Sequence, residues 1–270
     1  MERQREPIFN IPLSVSAPIA LFVAIHLVRL ALSDEQDLWL LLHAAFIPAR
    51  YDAASPYAAE FAAAGGDAAG VWTFLSYAFL HGDYMHLIVN SVWMLAFGSA
   101  VAWRFGAVRF LLFSAICAIA GAATHLAVHF GDPIPVIGAS AAISGHMAAA
   151  LRFVFAATGP LGVFRPHGRE AFFAPAASLR QTLRLPQAIV FLAVWFGSNI
   201  IFGLGAMTLV GEGASVAWEA HIGGFVAGLL LFPLIDPKVA RFDRVSQGDA
   251  GLRLPPEGPH DDGDGAPGRP

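Results

Sequence analysis

Six long apolar runs, each about as long as one membrane-spanning helix, dominate the sequence. They lie near residues 13–33, 78–100, 107–129, 138–157, 187–207 and 217–236. An α-helix needs about 20 mostly apolar residues to cross a hydrocarbon core of about 30 Å. Because 56% of the 270 residues are hydrophobic and only 13% are charged, little of the chain is left for a soluble domain. We therefore predict an all-α, multi-pass integral membrane protein with six transmembrane helices.

The segments between and after these runs predict the domain organisation. Residues 1–12 mix arginines with glutamates, which fits neither a cleaved signal peptide nor a transit peptide, so we expect a cytoplasmic N-terminal segment. Residues 13–236 form the membrane domain. Within this domain, 34–77 is expected to lie along the membrane interface, and 158–186 is a polar loop. Residues 237–270 have a low-complexity composition that predicts a disordered cytoplasmic tail.

The basic residues predict the orientation, because Lys and Arg are retained on the cytoplasmic side of a membrane. One set of alternate connections carries nearly all of them: Arg3, Arg5, Arg104, Arg109, Arg165, Arg169, Arg180, Arg184, Lys238, Arg241 and Arg244. Outside the spans, the other connections contain only Arg50 as a basic residue. Both termini are therefore predicted to be cytoplasmic, and we expect a bacterial inner membrane protein.

The composition also excludes several classes of function. The net charge of −4 and the scattered arginines argue against a nucleic-acid partner. The single cysteine, Cys117, can form neither a disulfide framework nor a thiolate metal cluster. The chain lacks an H-E-x-x-H motif, which excludes a zinc protease. No pair of aspartates lies in the interior of the apolar runs, since Asp83 and Asp236 lie near run ends, which argues against an aspartyl protease. We predict no metal and no cofactor, and the sequence predicts no particular oligomeric state.

Polar side chains inside a membrane are costly unless they are paired, so those within the spans are candidates for function. His86 and Asn90 lie one turn apart in the second span, Ser140 opens the fourth, and His221 lies near the start of the sixth. Ser140 taken alone could be a helix cap, and His86 and Asn90 could simply join helices. An imidazole that takes a serine proton while the oxygen attacks a carbonyl would catalyse acyl transfer.

Small residues predict which of these side chains meet. Gly145 in the fourth span and Gly224 and Gly228 in the sixth allow two helices to approach closely. Because both helices are predicted to enter from the outer face, Ser140 and His221 are expected at similar depth and within hydrogen-bonding reach. No carboxylate within the spans is available to orient the histidine, so we predict a dyad and not a triad.

Three motifs in this order, "HGDYMHLIVN", "GAS" and "AHIGGFVAG", resemble those of the rhomboid intramembrane serine proteases. The resemblance covers roughly residues 13–236 and implies a six-helix rhomboid-like bundle with a membrane-lying first outer loop. It implies that Ser140 is the nucleophile and His221 the base, with His86, Asn90 and the backbone N–H of Ser140 as oxyanion donors. The implied activity is that of a serine endopeptidase acting within the lipid bilayer on single-span membrane proteins, in or near their transmembrane helix.

The sequence departs from the family pattern at three positions. Ala141 follows the serine where glycine is usual, Ser144 stands where an aromatic residue is frequent, and Thr73 follows Trp72 where an arginine is expected. None of these changes removes a reacting atom. The alternative function is a rhomboid-like pseudoprotease that binds or escorts membrane helices without cleaving them, although such proteins typically lack a complete reacting pair.

Overall fold

The computed structural model describes residues 11–164, 168–203 and 217–237. The chain divides into two units, Met1–Asp236 and Pro237–Pro270, and every described helix belongs to the first. The α-helices are α1 (Leu13–Leu30), α2 (Asp34–Ala44), α3 (Ala58–Ala63), α4 (Gly66–Ser76), α5 (Tyr84–Trp93), α6 (Ser99–Phe105), α7 (Ala107–Val128), α8 (Ser140–Leu151), α9 (Leu179–Thr182), α10 (Pro186–Gly203) and α11 (Trp218–Ile235). The tail that was predicted to be disordered lies outside the described residues.

Four helical stretches among the described residues have the length and apolar composition of a membrane span. They are α1, α7, α11 and the continuous stretch Tyr84–Phe105, in which a π-helical turn, Met94–Gly98, joins α5 to α6. The protein is thus an integral membrane protein with a mostly helical fold. Helix α10 is apolar as well. The count of six spans stays a prediction.

Two predicted spans differ clearly from the helices observed. The span predicted at 78–100 is shifted and runs from Tyr84 to Phe105, and helix α8 is shorter than its span, because it ends at Leu151 and not near 157. At 1.5 Å per residue, its 12 residues extend about 18 Å, which is shorter than the hydrocarbon core. The chain then runs through turns that contain Gly159, Pro160 and Gly162. Pro160 restricts only the residue directly before it, so it does not explain why the helix already ends at Leu151. An average over apolar side chains does not register this end, because the residues after Leu151 are also largely apolar.

Helix α8 lies at the centre of the bundle and packs against α7 and α11. All of its residues after Ser140 are buried. A Cβ added at Gly224 would lie 2.0 Å from the carbonyl oxygen of Ala141, and one at Gly228 would lie 2.5 Å from that of Gly145. The backbones of α8 and α11 are therefore in direct contact, which only residues without a side chain permit.

The segment between α1 and α5 is folded into short helices that polar contacts hold in place. The guanidinium of Arg29 forms two hydrogen bonds with Asp37 at the start of α2, at 2.7 and 2.8 Å, and it holds the pKa of that carboxyl below its usual range. Arg50 donates to the carbonyl of Leu42 and to two carbonyls of the α3 region. Trp72 in α4 donates from its indole nitrogen to the carbonyl of His43, 2.7 Å away.

A buried ion pair closes the opposite end of the bundle. Arg104 at the end of α6 forms two hydrogen bonds, of 2.9 and 2.8 Å, with the carboxylate of Asp236, which directly follows α11. The same guanidinium donates to the carbonyls of Phe172 and Ala174, at 3.0 and 2.7 Å. One side chain thus ties two helices to the segment before α9.

Candidate active site

The ends of two closely packed helices bring a serine and a histidine into contact. Ser140 is the first residue of α8, and His221 lies in the first turn of α11. The Nε2 atom of His221 lies 2.7 Å from the hydroxyl oxygen of Ser140, although 81 residues separate them in the chain. The backbone contact between the helices at Gly224 lies less than one turn from His221, so the helix packing determines this distance.

A third side chain, Asn199 of α10, completes the arrangement. Its amide nitrogen donates to the carbonyl of Trp195 at 2.8 Å, which leaves the amide oxygen facing Nδ1 of His221 at 2.6 Å. Because this oxygen can only accept, Nδ1 carries the proton and donates it to Asn199. Nε2 then has its lone pair available for the hydroxyl of Ser140, which is the tautomer that a general base requires.

His86 and Asn90 lie beside the loop that leads into α8. A Cβ added at Gly138 would be 2.5 Å from Nε2 of His86 and 3.6 Å from Nδ2 of Asn90. Gly138 has φ of +116°, a conformation that side chains rarely permit, and its N–H donates to the carbonyl of Tyr77 at 3.0 Å. A glycine at this position thus lets the backbone pass close to both polar side chains, two residues before Ser140.

The amino end of α8 provides further hydrogen-bond donors. The first N–H groups of a helix have no partner within that helix. No side chain caps α8, and its preceding residue is Ala139. The backbone N–H groups at Ser140 and after it therefore lie at the mouth of the site, near the Ser140 hydroxyl.

The residue after the serine, Ala141, is accommodated by a compensating glycine. A Cβ at Gly121 in α7 would lie only 2.5 Å from the methyl carbon of Ala141 and 2.7 Å from the carbonyl oxygen of Ala220 in α11. Gly121 thus leaves room for the methyl group of Ala141 at the interface with α7.

The other two departures have plain structural roles. The hydroxyl of Ser144 donates to the carbonyl of Ser140 one turn earlier, at 2.8 Å. Thr73 is fully buried and donates to the carbonyl of Ala69 at 2.6 Å. An arginine is expected at position 73, but in this chain Arg50 forms the hydrogen bonds that join the short helices of this segment. Within the described part of the chain, neither Ser144 nor Thr73 forms a hydrogen bond with His221.

Two contacts between polar side chains in the bundle could not be predicted from the sequence. Asn199 stands out as an amide within an apolar run, but periodicity does not reveal that it faces His221. A second buried serine–histidine contact joins Ser114 of α7 to His146 of α8 at 2.8 Å, among Phe110 and Phe113. His146 is fully buried, so this second pair is closed to a substrate.

Side chains of the metal-ligand type also gather next to this site, where α7 ends and α11 begins. One nitrogen each of His125 and His129 and one carboxylate oxygen of Glu219 lie within 4.8 Å of one another. Glu219 is two residues before His221 in the first turn of α11. This cluster does not include any of the residues that form the serine–histidine contact.

The fold and the site define a helical integral membrane protein with a serine–histidine hydrogen bond at the junction of two tightly packed helices. The chain belongs to the rhomboid family, since the Rhomboid domain matches residues 68–237, a range that includes all of the site residues described above. Members of this family are mostly intramembrane serine proteases.

The chain is also similar to uncharacterized proteins of Mycobacterium tuberculosis and Mycobacterium bovis. In each comparison, 29% of the residues are identical over 165 positions, which is 60% of this chain. The match spans 58% of the length of each mycobacterial protein.

Proposed function

We propose that the protein is an intramembrane serine endopeptidase that cleaves single-span membrane proteins in or near their transmembrane helix. The observation that carries this proposal is the 2.7 Å contact between the hydroxyl of Ser140 and Nε2 of His221. Membership of the rhomboid family supports the same reaction class. In the second serine–histidine contact the histidine, His146, is fully buried, whereas Ser140 and His221 are both partly exposed, so the Ser140–His221 pair is the better candidate.

In the proposed reaction, Ser140 Oγ attacks the carbonyl carbon of a substrate peptide bond while Nε2 of His221 takes the hydroxyl proton. The tetrahedral intermediate collapses, the C–N bond breaks, and His221 returns the proton to the leaving amine. A water molecule then attacks the acyl-enzyme ester, again giving its proton to His221. The ester bond breaks, and Ser140 recovers its hydrogen.

Asn199 acts as a positioning residue in this proposal. Its amide oxygen accepts the Nδ1 proton of His221 at 2.6 Å, which supports the required tautomer throughout the cycle. Unlike a carboxylate, the amide carries no charge, so it stabilises the imidazolium only through its dipole.

The oxyanion donors in this proposal are the backbone N–H of Ser140 and the side chains of His86 and Asn90. Two observations support this assignment. Both side chains lie close to Gly138, and no side chain caps the amino end of α8. Preorganised donors of this kind stabilise the negative charge that develops on the substrate oxygen, and they act most strongly where water is excluded.

The substrate in this proposal is a membrane helix that unwinds before it is cut. A helix hides its carbonyls in hydrogen bonds, so attack by Ser140 requires local loss of helix. Small or helix-breaking residues in the substrate lower the cost of unwinding. A purified enzyme that cut only soluble loops, regardless of such residues in the substrate helix, would contradict this part of the proposal.

The proposed orientation has both termini in the cytoplasm and the segment between α1 and α5 outside. Two exposed positions, Ala54 and Glu170, lie on opposite sides in this arrangement. A membrane-impermeant thiol reagent applied to intact cells should label Ala54→Cys but not Glu170→Cys. The native Cys117 is fully buried and should stay unlabelled. Equal labelling of both positions would refute the orientation.

The decisive test of the activity is cleavage of a model single-span substrate by purified protein in detergent or liposomes. Ser140→Ala and His221→Ala each remove an atom that forms or transfers a bond, so both should abolish cleavage. Asn90→Ala removes one donor among several, and we expect about a 10²- to 10³-fold lower turnover. Thermal unfolding of each variant shows whether it is folded.

Ser114→Ala is a matched control, because it removes a serine–histidine hydrogen bond of the same kind from the buried pair. It should leave turnover close to that of the parent. If folded Ser140→Ala cleaves as fast as the parent, Ser140 is only a packing residue. If the parent binds the substrate helix and never cleaves it, the protein is a pseudoprotease.

A further inference from the structure

The cluster of His125, His129 and Glu219 has the composition of a transition-metal site. His125 lies in the last turn of α7 and His129 directly follows the helix, one turn later. The two rings lie side by side, with their centroids 4.4 Å apart. Glu219 reaches them from the first turn of α11. Its two oxygens lie 3.0 Å from Nε2 of His129 and 3.7 Å from Nδ1 of His125.

These distances fit a single ion held between the three side chains. Zinc binds histidine nitrogen and carboxylate oxygen at about 2.0–2.2 Å, so tetrahedral coordination separates its ligand atoms by about 3.3 Å. In this cluster, the carboxylate oxygens of Glu219 are at 3.0 and 3.7 Å from the two imidazole nitrogens, which brackets that separation. Three protein ligands leave a fourth position for water.

Burial gives an independent reason to expect a cation. His125 is 6% exposed, and its Nδ1 atom is buried and makes no hydrogen bond within the described part of the chain. Glu219 is 8% exposed, so its carboxylate has lost most of its contact with water. One oxygen of Glu219 is hydrogen-bonded to His129, but the other faces the buried Nδ1 of His125 at 3.7 Å, beyond hydrogen-bond distance. A metal ion between the side chains would satisfy that nitrogen and that oxygen.

The surroundings of His129 support the same assignment. Its Nδ1 atom lies 3.6 Å from a carboxylate oxygen of Asp132, while its Nε2 atom faces Glu219. A metal-binding histidine typically directs its second nitrogen to a carboxylate, which orients the ring. Asp132 lies on that side of the ring, at a distance somewhat longer than a hydrogen bond. The side chain of His129 is 33% exposed, so an ion from the solvent can reach the cluster.

We propose that His125, His129 and Glu219 bind a divalent transition-metal ion such as Zn²⁺, with Asp132 orienting His129. The ion would tie the carboxyl end of α7 to the first turn of α11. The mixed nitrogen and oxygen ligands favour zinc and similar metals over Mg²⁺ and Ca²⁺, which prefer oxygen alone. This assignment is independent of the proposed protease activity.

The test uses the full chain in detergent after removal of any polyhistidine tag and treatment with a chelator. Calorimetric titration with Zn²⁺ should reveal one saturable site per chain. Titration with Co²⁺ should give visible absorption bands of a coordinated ion, which Zn²⁺ then removes. Zn²⁺ should also raise the unfolding temperature, whereas an excess of Mg²⁺ or Ca²⁺ should neither compete nor stabilise.

Variants show where the ion binds. His125→Ala combined with His129→Ala should abolish the saturable site and the cobalt spectrum, and Glu219→Gln, which preserves size, should weaken binding strongly. Asp132→Asn should weaken it about 10- to 100-fold. His43→Ala is the matched control, because it removes a histidine from α2, away from the cluster, and should leave binding unchanged.

Ser140→Ala should bind Zn²⁺ like the parent, which separates this proposal from the proposed catalysis. Absence of a saturable Zn²⁺ site in the folded parent protein would overturn the assignment without reference to any variant. Binding that persists when both histidines are replaced would overturn it as well, and the three side chains would then form only an interhelical ion pair.

Discussion

The buried pair of Arg104 and Asp236 offers a quantitative test of how the bundle is held at its closed end. The two side chains are 0% and 1% exposed, and two hydrogen bonds join them. The guanidinium also packs over the ring of Phe153, with its central carbon 4.7 Å from the ring centre. Neither charge can regain water when the other is removed, so each single substitution leaves a buried charge deprived of its counterion.

The expected losses follow from this geometry. Arg104→Met and Asp236→Leu should each lower the free energy of unfolding by about 3–5 kcal/mol. The double variant contains neither charge and keeps a similar volume, but the carbonyls of Phe172 and Ala174 lose their donor, at about 1–3 kcal/mol. Additive effects would give a total of about 6–10 kcal/mol, so we expect a coupling of at least about 3 kcal/mol between the two positions.

Unfolding in mixed detergent micelles, followed by tryptophan fluorescence, measures these differences. Arg109→Met is a suitable control, since Arg109 is exposed at the start of α7 and its replacement should change stability by less than about 0.5 kcal/mol. A double variant that folds where a single variant does not would support the same coupling. Losses that simply add would refute the view that the two charges compensate each other.

Three other predictions concern the helix contacts, the outer segment and the histidine tautomer. Gly224→Ala should destabilise the protein by about 1–3 kcal/mol, because its Cβ would meet a backbone oxygen of α8. Gly197 has open space around it, so Gly197→Ala should leave stability unchanged or raise it in the same unfolding assay. Arg29 lowers the pKa of Asp37 in the folded state, so this ion pair adds stability above the unfolded pKa of about 3.9 and loses it as the pH falls through the lower folded value. The difference in free energy of unfolding between the parent and Asp37→Asn should thus be at most about 1 kcal/mol at pH 6. This difference should decrease as the pH falls below about 4. Asn199→Ala should reduce kcat with little change in KM. Asn199→Asp retains the hydrogen-bond acceptor and should recover part of the activity. If kcat of Asn199→Ala equals that of the parent, the tautomer of His221 does not depend on this amide.

The positions of the helices could be predicted from the sequence where an apolar run ends in strongly polar residues or glycine. The predicted spans 107–129 and 217–236 differ from α7 and α11 by two residues or fewer at either end. Helix α8 is shorter than predicted, because its last turns give way to a Gly- and Pro-containing segment that is equally apolar. Hydropathy measures transfer to lipid, and it does not register where a backbone stops being helical.

The site could be predicted in part for a similar reason. Small residues on two faces indicated that the two helices approach closely, and the shared entry side indicated that Ser140 and His221 lie at similar depth. The structure has their side chains in contact. The contact of Asn199 with His221 and that of Arg104 with Asp236 could not be inferred, because they depend on how α10 and the end of α11 rotate against their neighbours. Pairs separated by 22 and 132 residues leave no local pattern.

Gly121 shows that a residue can influence the reacting pair without touching it. It lies on α7, yet its missing side chain makes room for Ala141 on one helix and for the carbonyl of Ala220 on the other. Each of these neighbours is adjacent in sequence to a residue of the serine–histidine pair. A methyl group added at Gly121 would therefore push the helices of Ser140 and His221 apart, and the hydrogen bond between these two residues would become longer.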